Sequence, residues 1–367
     1  MSERLQNVPE DVAAADKNLA VDTAEGEKLD WYDIKGEPFR IYGLMRSADG
    51  TQFVRLPGEV AAATNSGVVY LAKNTAGGRV RFSTDSRRIV LRVTYDPRVR
   101  FPHMPATGVR GFDLYSDTGE GSFYQRTFVP EVGDHTRAGY RTAVGDLSGE
   151  MTSYTINFPL YNNVSEVYLG FEPGSRVEKG AEYPCGKPLV FYGSSITQGG
   201  CASRPGNCFT ATAARELNMD HINLGFSGSG LGEIPMMEYI ASLDMAAFVY
   251  DYDHNAPNPA HLRETHERGY RIVREKHPDI PIVMLSKPDW GFIETDCTER
   301  RNVIMETYSK ALASGDDRVF FVDGRSHFAA CRDRYACTVD GVHPNDLGMY
   351  YMARSVTDAL KDLMGMK

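Results

Sequence analysis

The sequence predicts an α/β protein in two halves, an antiparallel β-sandwich followed by a three-layer α/β/α unit on a five-stranded parallel sheet. Three observations carry that expectation. Short runs rich in β-branched and aromatic residues, separated by turn residues, fill positions 31–173. Apolar runs alternate with helix-like segments from residue 188 onward. The change of pattern falls at "GSRVEKGAEYPCGKP", Gly174 to Pro188, a polar stretch with three glycines and two prolines.

In the N-terminal half, "RRIVLRVTY" (Arg87 to Tyr95), "SYTINFPLY" (Ser153 to Tyr161) and "SEVYLGFEP" (Ser165 to Pro173) read as strands. "SADG", "NTAGG" and "SDTGEG" supply the turn chemistry between them. No helical stripe is visible after the polar N-terminal arm, so a jelly-roll-like sandwich is expected here. "SDTGEG" (Ser116 to Gly121) reads as a hairpin turn, with a reach over the active face as the alternative.

In the C-terminal half, the five strands are expected at Pro188–Tyr192, His221–Leu224, Ala246–Asp251, Pro281–Leu285 and Val319–Asp323. "AHLRETHERGYRIVREKH" and "RRNVIMETYSKALAS" carry apolar residues at helical intervals. The last helix places Met352, Val356, Leu360 and Leu363 near one face, with Asn345 or Asp346 as its N-cap. Repeated strand–helix units imply a parallel sheet with helices on both faces, and ligands then sit beyond the carboxyl ends of the strands. The boundaries read as an arm over 1–28, a sandwich over 29–178 and the α/β unit over 179–367.

Of 367 residues, 42% are hydrophobic, enough for two sizeable cores. The net charge of −9 without a Lys/Arg-rich run argues against nucleic acid and anionic membranes as partners. The opening "MSERLQNVPEDVAAADKN" has charges where a signal peptide needs an apolar core, so a cytoplasmic location is expected. The six cysteines include no CxxC pair and fit no zinc module, so reduced thiols are expected, with a Cys331–Cys337 bridge left open. Homo-oligomerisation is also left open.

The chemistry concentrates at strand ends. "LVFYGSSITQGG" (Leu189 to Gly200) passes from an apolar run straight into two serines on a glycine-rich backbone. A serine becomes a nucleophile when a histidine, oriented by a carboxylate, takes its proton. "TVDGVHPND" offers Asp340 and His343 three residues apart, just before the final helix. A tetrahedral intermediate needs donors aimed at its oxyanion. Gly228 in "NLGFSGSG" offers a backbone N–H, and Asn255 in "YDYDHNAPN" a side-chain amide.

With these four blocks in order, the chain resembles the SGNH (GDSL-type) hydrolases over residues 185–363. The blocks are Ser195 in "YGSSIT", Gly228 in "NLGFSG", Asn255 in "DYDHNA", and Asp340 with His343 in "DGVHPN". The resemblance implies a flavodoxin-like fold. It also implies Ser195 as nucleophile, His343 as general base and then acid, and Asp340 as its partner. Ser195 N–H, Gly228 N–H and the Asn255 amide would form the oxyanion hole. The sequence departs from the family pattern at Ser194, where aspartate is common. It departs also at Asp253 and Ala256, where glycine and aspartate are usual. "GFDLY" (Gly111 to Tyr115) is similar to the Gly-x-Asp-Leu-Tyr signature of sandwich domains that precede SGNH hydrolases in bacteria.

Some proteins of that architecture are acetyl esterases acting on hemicellulose sugars, mannans among them. The resemblance therefore implies an acetylated oligosaccharide as substrate. Trp290 in "SKPDWGFIE" and His254 beside Asn255 are the candidate substrate contacts, with a core tryptophan and a locally bonded histidine as the bland readings. Serine chemistry needs no cofactor and no catalytic metal, so neither is expected. The competing expectations are a lipase, acyl-chain esterase or acyltransferase of the same superfamily, and a carbohydrate-binding protein with an idle hydrolase fold.

Overall fold

The computed structural model describes residues 20–96, 101–130, 138–288 and 297–366. In the N-terminal half, a pair of antiparallel sheets pack against each other. One has the spatial order Asp30–Asp33, Val164–Phe171, Ile89–Tyr95 and Gly139–Val144. The other runs Val177–Glu178, Arg79–Thr84, Thr152–Asn157, Phe112–Thr118 and Gly121–Phe128, with Arg40–Tyr42 also paired to Arg79–Thr84. Alternate residues of both sheets point inward, so Val80, Phe82, Leu91, Val93, Leu114 and Ile156 share one buried cluster. Each such side chain contributes about 1.5–3 kcal/mol through its removal from water.

One detail differs from the sequence reading, and one agrees with it. Short helices occur in this half at Gly58–Thr64, Ser66–Leu71 and Ala106–Val109. Two turns or fewer leave no periodic stripe to detect; what starts the second is local, the Asn65 side chain accepting from Val68 N–H. "SDTGEG" is a plain hairpin turn, with Thr118 paired to Gly121.

The C-terminal half carries a five-stranded sheet, parallel throughout. Its order is Met219–Gly225, Cys185–Gly193, Ala247–Asp251, Ile282–Leu285 and Val319–Val322. The Cys185–Gly193 strand, second in that order, shows why the apolar runs are continuous. Leu189 and Phe191 face a helical layer containing Phe209, Met352 and Val356. Val190 and Tyr192 face the opposite layer, with Met236, Ile240 and Val273. The final helix, Asp346–Met364, is capped by Asn345, whose Oδ1 accepts from Leu347 and Gly348 N–H.

The two halves share their cores. Ala76, Val109, Leu160 and Tyr161 of the N-terminal half pack into the cluster around Phe191. Leu56, Val68 and Leu71 pack into the cluster around Val190. All six cysteines are unbridged. Among the described residues, no helix is long and apolar enough to cross a membrane.

Candidate active site

The Cys185–Gly193 strand ends at a tight turn. A Cβ at Gly193 would lie 2.1 Å from Thr197 Oγ1 and 2.2 Å from the Asp251 carbonyl oxygen, so only glycine fits. Ser194 and Ser195 then take different tasks. Ser194 is fully buried and caps the helix Ser195–Gln198 by accepting from Ile196 N–H at 3.1 Å. Aspartate is an equivalent capping residue, which accounts for serine at this departure from the family pattern. Ser195 opens the helix, with its side chain free to leave the turn.

The Ser195 Oγ lies 2.9 Å from His343 Nε2. The other ring nitrogen, Nδ1, is 2.7 Å from Asp340 Oδ2. Asp340 Oδ1 accepts from the backbone N–H of Val342 and His343 at 3.0 and 2.7 Å. Burial alone would raise the Asp340 carboxyl; the backbone and ring hydrogen bonds of His343, with that of Val342, outweigh it and hold the group below its usual range. The carboxylate is therefore charged where it can orient the imidazole. The loop itself is braced: Val339 N–H donates to the His343 carbonyl, and the Asn345 amide to that of Ala336.

Gly228 and Asn255 are brought together, though in a more local arrangement than an open pair of donors. Gly228 has φ +65°, which suits glycine, and its N–H donates to Asn255 Oδ1 at 3.1 Å. The Asn255 amide donates to the carbonyl oxygens of Phe226 and Gly230 at 2.8 and 3.1 Å. An amide flipped the other way would set donor against donor at Gly228, so this network fixes the orientation. Asn255 thus holds the Gly228 loop in shape.

The N-terminal half builds much of the wall. The buried Tyr161 hydroxyl donates to the Ser195 carbonyl at 3.1 Å. Phe101 packs edge-on against Tyr161, with centroids 5.1 Å apart, and the His103 ring lies 5.6 Å from that of His343. Gln198 joins three segments, donating to Asn74 Oδ1 and the Leu160 carbonyl while accepting from Ser227 N–H. The buried Arg55 guanidinium donates to the Asn223 and Gly225 carbonyls and lies 4.5 Å from the centroid of the Phe226 ring. None of Tyr161, Phe101, His103, Gln198 and Arg55 is singled out by the sequence, because each meets the site through a contact far along the chain.

Behind the serine turn sits a buried acid. Asp251 accepts from Thr197 Oγ1 at 2.8 Å, and burial, with the neighbouring Asp253, pushes its carboxyl up to about 8. Asp253 accepts from Lys287 N–H at 3.0 Å, a structural use for the carboxylate that stands where the family usually has glycine. His254 is half-buried and acts on Asp251 electrostatically. Trp290 lies outside the described residues.

Residues 186–361 match the GDSL-like lipase/acylhydrolase family, and residues 29–177 match the GxDLY family, the N-terminus of SGNH-hydrolase-type esterases. No curated protein matches the chain. Among solved structures, a GDSL-like lipase-type protein from Bacteroides ovatus superposes with a TM-score of 0.82 at 24% identity, covering 93% of this chain and 99% of that one. A salicylyl-acyltransferase from a tetracycline biosynthetic pathway gives 0.73 at 20% identity, over 92% and 98%. An acetyl xylan esterase from the rumen bacterium Butyrivibrio proteoclasticus gives 0.53 at 13% identity, over 92% and 99%. These likenesses are of fold.

Proposed function

Since residues 186–361 form a GDSL-like hydrolase domain behind the N-terminal domain of SGNH-type esterases, we propose that the protein is a serine esterase that removes acetyl groups from carbohydrate. One observation carries the reading: the hydrogen-bonded line Ser195 Oγ, His343 imidazole, Asp340 carboxylate at the carboxyl end of the Cys185–Gly193 strand. Ser195 Oγ attacks the acetyl carbonyl carbon and its proton passes to His343 Nε2. Asp340 stabilises the imidazolium so formed. The tetrahedral oxyanion takes the Ser195 N–H, which opens a helix and has no intrahelical acceptor. It also takes the Gly228 N–H, displacing Asn255 Oδ1 from that donor.

Collapse of the intermediate expels the sugar alkoxide, which leaves with the proton from His343. Water, deprotonated by the same Nε2, then attacks the acetyl-enzyme and releases acetate. The acetyl and carbohydrate assignments rest on resemblance, since solved proteins of this fold include carbohydrate esterases and an acetyl xylan esterase. Mannan-type oligosaccharides are the first substrates to try. The acyltransferase of like architecture supports a second reading, in which a hydroxyl rather than water intercepts the acyl-enzyme. Rates on p-nitrophenyl esters of increasing chain length, with and without added sugar acceptors, test both. Steady loss of rate beyond acetyl supports the acetyl esterase; a preference for long chains overturns it. Acylated acceptor in place of free acid favours transfer.

A further inference from the structure

Three side chains from distant segments meet beside Ser195. His103 comes from the N-terminal half, Cys201 from the loop after the serine helix, and His343 from the loop before the last helix. One ligand atom of each, a ring nitrogen of either histidine and the Cys201 sulfur, lies within 4.8 Å of the other two. Tetrahedral zinc, with Zn–N of about 2.0 Å and Zn–S of about 2.3 Å, holds such atoms about 3.3–3.8 Å apart. The three are thus at most about 1.0–1.5 Å too far apart for a ligand set, a gap that small side-chain rotations close.

Other details point the same way. The Cys201 Sγ already faces the 101–104 loop, donating to the His103 carbonyl at 3.6 Å. Cys201 is buried with φ +69°, a backbone setting that favours glycine, so the chain places a thiol here against local preference. The Asp340 bond to His343 Nδ1 is also the outer arrangement that orients metal-binding histidines.

We propose that His103, Cys201 and His343 form an inhibitory site for zinc or a transition metal of similar chemistry. With Nδ1 held by Asp340, Nε2 is the nitrogen left for the metal. That atom is also the partner of Ser195 Oγ, so a bound metal and an activated serine exclude each other. On binding, the Cys201 S–H bond breaks, the thiolate electron pair goes to the metal, and the proton goes to solvent. The metal plays no role in catalysis. The inhibitory consequence rests on the proposed role of His343; the binding itself does not.

Cobalt(II) titration, followed by the thiolate-to-cobalt absorption band with no ester present, tests the site directly. One equivalent should develop the band, zinc should bleach it, and Cys201→Ser should abolish it. In ester hydrolysis, zinc should inhibit the wild type and EDTA should restore it. Cys201→Ser should turn over normally without metal, and both it and His103→Gln should need about tenfold more zinc for half-inhibition. Absence of the cobalt band, or equal zinc sensitivity in Cys201→Ser, overturns the proposal. A band in a protein that hydrolyses no ester keeps the metal site and sinks the esterase reading instead.

Discussion

The wholly buried Asp113 carboxylate accepts a hydrogen bond from the Gly206 backbone N–H at 2.8 Å, tying the "GFDLY" strand to the loop that follows Ser195. The same oxygen accepts from Arg204 at 2.9 Å, and the other oxygen from the Asn157 amide at 2.8 Å. Tyr115 completes the clamp, its hydroxyl accepting from Arg204 and its ring lying under the Arg215 guanidinium, 4.5 Å from the centroid. The motif is therefore a docking device: its aspartate and tyrosine fasten the sandwich to the segment that follows the serine turn.

Removing that clamp should loosen both halves. Asp113→Ala leaves Arg204, Asn157 and Gly206 N–H without their acceptor, and the protein should lose about 3 kcal/mol of stability. The turnover rate should fall with it, because the 201–208 loop flanks the site. Asp113→Asn keeps one acceptor and should lose less. Urea denaturation and ester turnover measure both effects; an unchanged Asp113→Ala would mean the motif does not fasten the halves.

Asp340→Asn should keep the fold and lose the chemistry. The amide can still reach His343 but no longer balances an imidazolium, so kcat should drop by about 10³–10⁴ with little change in melting temperature. A fall of tenfold or less would remove Asp340 from the proton relay.

Asn255→Ala tests the donor loop. Without its side chain, Gly228 N–H loses its resting partner and the Phe226–Gly230 turn loses its brace. If the loop serves the oxyanion, kcat should fall by about 10²–10³ with KM nearly unchanged. A rise in KM alone would place the loop in ground-state binding.

Asp251 makes stability depend on pH. Burial, reinforced by Asp253, keeps its folded carboxyl at about 8, whereas unfolding returns it to about 4. Below about pH 4 the group is protonated in both states and costs nothing. Between about pH 4 and 8 only the unfolded chain ionises, so stability is lost as pH rises, at up to about 1.4 kcal/mol per unit. Asp251→Asn can still accept from Thr197 and should be flatter over that interval and more stable at its upper end. Parallel stability curves for the two proteins would contradict the assignment.

The five parallel strands and the serine–histidine–aspartate line were legible because each rests on short-range signals. Runs of four to six residues mark the buried parallel strands, and Asp340 and His343 stand three residues apart in one loop. Ser194 could be recognised as a hydroxyl beside Ser195, but only the cap to Ile196 shows what it does. What the sequence hid is contact at long range. Tyr161 reads as the end of a strand, yet its hydroxyl meets the Ser195 carbonyl, and His103 has no local pattern at all. The short helices at 58–71 fell below the length at which a period is visible. Asn255 was identified by its block, whereas its hydrogen bonds to the Gly228 loop follow from three-dimensional packing alone.

The central claim is that Ser195 carries acetyl from a carbohydrate ester to water. Acetate release from acetylated mannan, xylan and chitin oligosaccharides, measured for the wild type beside Ser195→Ala, tests it most directly. Release by the wild type that vanishes in the variant is the predicted result, and the preferred oligosaccharide names the substrate class. Release that persists in Ser195→Ala, or none from any oligosaccharide by the wild type, would contradict the claim.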